Sequence, residues 1–325
     1  MKLSIVMYHY VRDLRHSRYP EIKGLDLPLF RRQLEFFQSR FKAVTMEQVI
    51  AAIREGETLP DNALLLTFDD GYMDHYACAL PLLEEFGFQG TFFIPGKTFT
   101  THQLLDVNKI HYILASADIG KLLPDVLSRL DFYRGQEFDY PSNEELFAVH
   151  AVANRFDSKE IRFVKAVLQA PVPEKVRNRI SSDLFTKYVG ISEEQLAYEL
   201  YMNPDQIRTM KRHGMFIGVH GWDHYWLDSL PKAEMKADIA KALEIMDPFI
   251  DRDAWAIAYP YGRSNSAVLD YVAEQGACVG VTIEPRPTRI GEDSPLALPR
   301  MDCNDFPPKS ERYREYNEQG ICPEM

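Results

Sequence analysis

Three features that would connect the chain to a membrane, to nucleic acid or to an oxidising compartment are missing from its sequence. The apolar run at residues 3–8 stops at His9, so it is too short for a secretory signal or a membrane-spanning helix. The formal net charge of −11 argues against a nucleic-acid partner. Taking Met1 as the natural start, we expect a cytoplasmic protein with no transmembrane segment.

Cysteine is scarce, and no two cysteines have the spacing of a metal or redox motif. The absence of any Cys-x-x-Cys pair argues against a zinc knuckle or a thiol–disulfide active site. We therefore expect reduced, mostly buried thiols at Cys78, Cys278, Cys303 and Cys322. A hydrophobic content of 46% and an aromatic content of 12% are instead sufficient for a full apolar core.

Strand and helix patterns alternate along the first 99 residues and again from residue 205. Such alternation predicts an α/β protein with parallel strands and helices outside them. The predicted strands lie at 3–8, 41–45, 64–68, 90–95, 215–219, 254–258, 277–283 and 296–299, and the predicted helices at 28–40, 46–55, 73–86, 205–213, 231–248 and 264–275.

The alternation breaks between about residues 100 and 203. Apolar residues there recur at helical spacing, which predicts a helical insertion lying over or beside the strands. Two stripes carry this prediction: Ile110, Ile113 and Leu114, and Ile161, Val164, Val167 and Leu168. The polar, proline-containing tail from about residue 304 is predicted to be irregular.

An acidic pair ends the apolar run Leu64–Phe68. Asp69 and Asp70 are followed by Gly71, and neighbouring side chains on an extended chain point to opposite sides. The two carboxylates can therefore serve different purposes if the chain turns at Gly71. An Asp-Gly surface turn is the simpler interpretation of this stretch taken alone.

Other polar residues also follow predicted strands. The carboxyl ends of parallel barrel strands converge on one mouth, where active sites form, so these residues are candidates for one site: His9, Asp69, Asp70, His220, Tyr261 and Arg300.

The segment His220-Gly-Trp-Asp-His224 has the spacing of a two-histidine metal site. With Asp70 as third ligand it becomes a site with positions left open for water and substrate. Asp69 then lies beside the metal as a candidate base. The turn Tyr259-Pro-Tyr-Gly262 could present the Tyr261 backbone N–H to an oxyanion, or its tyrosines could simply pack.

Together, Thr67-Phe-Asp-Asp-Gly71, His220-x-x-x-His224 and Tyr259-Pro-Tyr-Gly262 resemble the motifs of the polysaccharide deacetylases, carbohydrate esterase family 4 or the NodB-homology family. The resemblance covers residues 1–99 and 205–303. It implies a single domain over residues 1–325 with a distorted (β/α) barrel of about seven strands. It also implies hydrolysis of an N-acetyl group from an amino sugar.

By the same resemblance, Asp69 is the general base and Tyr261 the oxyanion donor. Asp70, His220 and His224 are the ligands of a divalent metal, usually Zn²⁺.

Two family features are missing from this sequence. The family arginine that orients the base is replaced by Ala258, and Arg300 is our candidate substitute. The late Leu-x-His motif is absent, and the segment Met7-Tyr-His9-Tyr-Val11 resembles instead the circularly permuted poly-N-acetylglucosamine deacetylases. His9 is therefore assigned as general acid; its alternative is a core histidine bonded to a backbone carbonyl.

The implied substrate is an N-acetylated amino-sugar glycan, and we favour a nucleotide- or lipid-linked intermediate made inside the cell. Trp222, Tyr225 and Trp226 either stack on a sugar ring or pack in the core. Two other functions stay open: hydrolysis of another C–N bond, in a formamide or ring amide, and sugar binding without catalysis.

Overall fold

The structure is a computed structural model that describes residues 1–135, 138–154 and 156–319. The chain divides into two compact units. Among the described residues, the first unit contains 1–13, 24–102 and 200–319, and the second contains 14–23 and those within 103–199. The second unit thus includes most of the predicted insertion and one early segment that sequence patterns did not indicate.

The first unit is built on a curled sheet whose main path contains seven strands in the order β10-β1-β5-β6-β7-β8-β9. Neighbours along this path are parallel, except that β10 is antiparallel to β1. β4 also pairs with β5 and β11 with β1, while β2 and β3 form a separate pair. The strands are β1 (Lys2–Tyr8), β2 (Val11–Arg12), β3 (Leu25–Asp26), β4 (Lys42–Ala43), β5 (Ala63–Asp69), β6 (Gly90–Ile94), β7 (Phe216–Val219), β8 (Ala256–Ala258), β9 (Val279–Val281), β10 (Thr288–Arg289) and β11 (Met301–Asp302). The predicted α/β fold with a distorted barrel of about seven strands is confirmed.

The helices follow in chain order, and α5 to α10 belong to the second unit, except that Leu200 at the end of α10 belongs to the first. They are α1 (Leu27–Arg40), α2 (Met46–Arg54), α3 (Leu80–Phe86), α4 (Gly96–Thr100), α5 (Asp106–Ser116), α6 (Ile119–Tyr133), α7 (Asn143–His150), α8 (Lys159–Val167), α9 (Glu174–Tyr188), α10 (Glu193–Leu200), α11 (Pro204–Arg212), α12 (Lys232–Met246), α13 (Ser266–Glu274) and α14 (Tyr313–Gln319). Within the described ranges, no helix has the length and apolar character needed to cross a bilayer.

Alternate residues of the strands face two separate apolar layers. Leu65 of β5 and Phe93 of β6 belong to one cluster, which includes residues of α2, whereas Phe68 and Phe92 belong to a larger cluster, which includes residues of α1, α3 and α12. All seven residues of β5 are buried, as expected for a parallel strand covered on both faces. Burial of each large apolar side chain contributes about 1.5–3 kcal/mol, so both layers hold the strand ends in place.

The segment predicted as a strand at residues 296–299 is not one. Only Leu298 pairs there, with Val281 of β9, and β11 then pairs with β1. The segment 298–302 therefore bonds first to one end of the curled sheet and then to β1. We call residues 298–302 the seam. Arg300 lies inside it rather than after a strand.

Two further predictions differ from the structure. The predicted helix at 73–86 is helical over its whole length, but its residues His75–Ala79 form a π-helical turn, and α3 starts at Leu80. The tail, predicted to be irregular, forms the turn Cys303–Asp305 and then α14. Ring stacking explains why the tail is structured: the Tyr313 ring stacks on the buried Phe306 ring, with 4.9 Å between their centroids. Residues 320–325, with Cys322, lie outside the described residues.

The second unit is helical, as its sequence predicts. Five members of the two predicted stripes are buried: Ile110, Ile113, Val164, Val167 and Leu168. Leu114 and Ile161 are half-buried. Of the predicted reduced thiols, Cys278 and Cys303 are buried and Cys78 is half-buried, and all three are unpaired.

Candidate metal centre and active site

The polar residues predicted at strand ends lie together in the first unit. Asp69 is the last residue of β5. His9 directly follows β1, and His220 directly follows β7. Tyr261 lies in the short turn Pro260–Gly262 after β8. The carboxyl ends of parallel strands lie at one edge of the sheet, so side chains distant in sequence become neighbours there.

Asp70, His220 and His224 form a buried cluster whose potential ligand atoms all lie within 4.8 Å of one another. Oδ1 of Asp70 is 3.4 Å from Nε2 of His220 and 3.3 Å from Nε2 of His224. This oxygen has no hydrogen-bond partner although it is buried. A buried carboxylate oxygen that faces two imidazole nitrogens is a suitable donor set for a divalent cation.

A backbone contact fixes the orientation of the His220 ring. Its Nδ1 lies 2.7 Å from the carbonyl oxygen of Ala258, and a carbonyl can only accept, so Nδ1 carries the hydrogen. Nε2 is then the nitrogen with a lone pair directed at Asp70, which is how metal-binding histidines are usually arranged. Ala258 lacks the guanidinium of the family motif, but its backbone orients a ligand.

The loop between the two histidines is held from two sides. The buried carboxylate of Asp238 on α12 accepts hydrogen bonds from the N–H groups of Trp222 (2.9 Å) and Asp223 (3.0 Å). The first two N–H groups of α4 donate to the carbonyls of Gly221 and Trp222. Gly221 has a φ of +70°, which glycine adopts without strain. Asp238 was not predicted from the sequence, although an acid beside the apolar stripe of α12 was a visible signal.

Asp69 and Arg300 form a buried, two-pronged ion pair. Nη1 and Nη2 of Arg300 lie 2.8 and 2.7 Å from Oδ1 and Oδ2 of Asp69, and Nη1 also donates to the Thr67 hydroxyl. Burial alone would raise the pKa of Asp69, but the charge and the hydrogen bonds of Arg300 outweigh it and lower this pKa. The carboxylate is therefore kept ionised, as a proton acceptor must be.

His9 is half-buried, and a second histidine holds its backbone. Nε2 of His75 lies 2.9 Å from the carbonyl oxygen of His9. Burial lowers the pKa of His75 to about 4, so this ring is neutral at pH 7 and donates its one N–H to the carbonyl. His75 was not predicted from the sequence, because a histidine inside a predicted helix carries no distinguishing pattern.

Three of the candidate residues have left-handed backbone conformations. The φ angles are +78° at Asp70, +57° at His224 and +58° at Tyr261, and such angles are strained for residues other than glycine. The Tyr261 ring lies 4.7 Å from the His224 ring. Strain of this kind is concentrated at functional sites, where surrounding packing maintains it.

The aromatic residues around the histidine motif have different surroundings. Trp222 is in the apolar layer, with Nζ of Lys241 at 3.6 Å from its ring. Trp226 instead lies 5.5 Å from the Tyr261 ring, edge to face, and its buried Nε1 has no hydrogen-bond partner. Tyr225 is half-buried. Trp222 therefore packs, whereas Trp226 borders the candidate site.

Comparison with known proteins agrees with these motifs. The family model for polysaccharide deacetylases matches residues 56–130 and 184–279, more than half of the chain. YxkH of Bacillus subtilis (strain 168) is 18% identical over 285 residues, which are 87% of this chain and 65% of that protein. The poly-β-1,6-N-acetyl-D-glucosamine N-deacetylase of Escherichia coli K12 is 39% identical over 83 residues, 25% of this chain and 12% of that enzyme. The chain thus spans less than two thirds of either relative.

Solved structures share the fold. The Streptococcus pyogenes deacetylase PplD, in complex with acetate, has a TM-score of 0.57 at 18% identity and covers 99% of both chains. A de-N-acetylase from Aggregatibacter actinomycetemcomitans also has a TM-score of 0.57, at 14% identity, over 96% of this chain and 100% of its own. With its family-model match and its motifs at the strand ends, the chain belongs to the polysaccharide deacetylase family.

Proposed function

We propose that this protein is a metal-dependent hydrolase that removes the N-acetyl group from an amino sugar of a glycan and releases acetate. One observation carries the proposal: the free oxygen of Asp70 faces both imidazoles, and beside it the Asp69 carboxylate is held ionised by Arg300. Cation ligands and an adjacent base are the two parts that hydrolysis of an unactivated amide needs. The enzyme names of the relatives support the same reaction class.

The donor set of the cluster supports zinc, because two imidazole nitrogens and one carboxylate oxygen are ligands that suit Zn²⁺. Mg²⁺ prefers oxygen donors. When bound, the cation would polarise the acetyl carbonyl and lower the pKa of a water molecule.

The chain's own residues then have separate tasks. Asp69 accepts a proton from the attacking water, and Arg300 keeps that carboxylate oriented and ionised. His9 donates a proton to the departing sugar nitrogen, which is a poor leaving group without it. We assign the backbone N–H of Tyr261 as a donor to the oxyanion that develops on the acetyl oxygen.

Acetate release tests the proposal. Purified protein is stripped of metal, reloaded with Zn²⁺ and supplied with N-acetylglucosamine oligomers and N-acetylated nucleotide sugars, and acetate is measured. We expect release only from the reloaded protein, and none from Asp69→Asn with normal zinc content. Release of formate or ammonia from other amides would favour a different C–N hydrolase, and sugar binding without turnover would favour a binding protein.

The role of His9 has its own test. Replacing His9 with Ala should slow cleavage of the amide far more than cleavage of an activated acetyl ester, because the ester's leaving group needs no proton. Equal losses on the two substrates would indicate that His9 only packs.

A further inference from the structure

The two oxygens of the Asp70 carboxylate have different surroundings. Oδ1 faces His220 and His224 and accepts no hydrogen bond. Oδ2 accepts a short hydrogen bond from the hydroxyl of Tyr72, at 2.5 Å. A carboxylate can rotate about its last bond or bind a cation through both oxygens, so a bond to one oxygen decides which oxygen remains for the metal.

The Tyr72 hydroxyl reaches Asp70 because the chain reverses between them. Asp70 and Gly71 both have left-handed backbone angles, +78° and +68°. An added Cβ at Gly71 would lie 2.8 Å from Cγ2 of Ile94, so glycine is required by both conformation and space. The turn places residue 72 where its side chain reaches back to residue 70.

Tyr72 is itself held firmly. It is fully buried, and its ring stacks on Tyr10 with centroids 4.1 Å apart and planes 10° apart. Its backbone pairs with Tyr201, and the neighbouring carbonyl of Gly71 accepts from Met202. A side chain fixed in this way transmits its position to the carboxylate rather than adapting to it.

We propose that Tyr72 is a positioning residue that makes Asp70 a one-oxygen ligand of the divalent cation. This inference rests on the metal-dependent function proposed above, and it adds a residue outside the ligand set. Groups that hydrogen-bond to metal ligands typically change metal affinity about 10- to 100-fold when they are replaced.

The test compares two buried tyrosines with equally short hydrogen bonds. Tyr72→Phe removes the bond to Asp70 and keeps the stacking ring. Tyr8→Phe, the matched control, removes a 2.5 Å buried bond to Gln33 from a strand of the same sheet. For each metal-free protein, Zn²⁺ affinity is measured by chelator competition, the visible spectrum is recorded with Co²⁺, and stability is measured by urea unfolding.

We expect Tyr72→Phe to weaken Zn²⁺ binding by about 10- to 100-fold and to change the Co²⁺ spectrum, while Tyr8→Phe loses only stability. Unchanged affinity and spectrum in Tyr72→Phe, or equal affinity losses in both variants, would overturn the inference. Failure of the unmodified protein to bind Zn²⁺ or Co²⁺ would instead refute the proposed function, so the two failures are distinguishable.

Discussion

Arg300 holds the carboxylate of Asp69 through two parallel hydrogen bonds of 2.8 and 2.7 Å, although 231 positions separate the residues in sequence. The side chains are almost fully buried, at 0% and 3% exposure. The family places an arginine where this chain has Ala258. In this chain, Arg300 of the seam, which pairs with β9 and β1, supplies a guanidinium to the same acid.

A double-mutant cycle should reveal this dependence. Arg300→Met leaves the buried Asp69 charge without its partner, and we expect a loss of about 3–5 kcal/mol in the free energy of unfolding. Adding Asp69→Asn should restore much of that loss. Arg31→Met breaks an exposed pair with Glu85 and should leave stability almost unchanged, because water screens the pair. Additive losses in urea unfolding would contradict a direct coupling.

The buried, neutral His75 should make stability depend on pH. Its pKa is about 4 in the fold, against about 6.5 in an unfolded chain. Between these values only the unfolded state takes up the proton. The contribution of His75 to the free energy of unfolding is therefore fully present above pH 6.5 and is lost as the pH falls toward 4. We expect the natural protein to lose about 3 kcal/mol more than His75→Gln over this range.

Urea unfolding at several pH values measures this difference. His16→Gln replaces an exposed histidine and controls for the loss of one titratable side chain. The same pH dependence in the natural protein and His75→Gln would show that His75 is not held neutral.

The clamp of Asp238 on the histidine loop should preorganise the metal site. Asp238→Ala removes the carboxylate that accepts from the N–H groups of Trp222 and Asp223. We expect Zn²⁺ affinity to fall by about 10-fold or more, and hydrogen exchange of these two amides to accelerate. Asp238→Asn keeps one acceptor oxygen, so its Zn²⁺ affinity should lie between those of the natural protein and Asp238→Ala. Asp228→Ala breaks an ion pair with the exposed Arg263 and should leave the Zn²⁺ affinity and the exchange of these amides unchanged. Equal effects of Asp228→Ala and Asp238→Ala would argue for general destabilisation.

Strand β9 should not tolerate a methyl group at Gly280, because the backbone just before the seam lies against it. A Cβ there would lie 2.4 Å from the carbonyl oxygen of Leu296, which is backbone and cannot rotate away. We expect Gly280→Ala to cost about 1–3 kcal/mol of unfolding free energy. Gly120→Ala, near the start of α6, meets only the end of an exposed aspartate side chain and should be neutral or stabilising by up to about 1 kcal/mol. Thermal unfolding distinguishes the two variants, and equal midpoints would mean that the backbone at Leu296 can shift.

Much of the fold followed from local patterns. Runs such as Leu64–Phe68 and the helical stripes of the second unit depend on burial of apolar residues at regular spacing, which a sequence displays directly. The segment 296–302 did not follow, because its few ladder bonds go to two different strands and no period-two pattern develops. The helix α14 was missed for a similar reason, since its contacts with the core come from isolated tyrosines.

For the site, the sequence by itself determined the chemical components: the acid pair, the His-x-x-x-His spacing and the candidates His9 and Arg300. Only the tertiary structure decided how they are paired. It set Arg300 against Asp69, placed His75 and Asp238 behind the candidate residues, and turned one oxygen of Asp70 toward the two histidines. Such pairings depend on which strand ends meet across the sheet and on backbone angles at single residues, and neither is encoded in spacing along the chain.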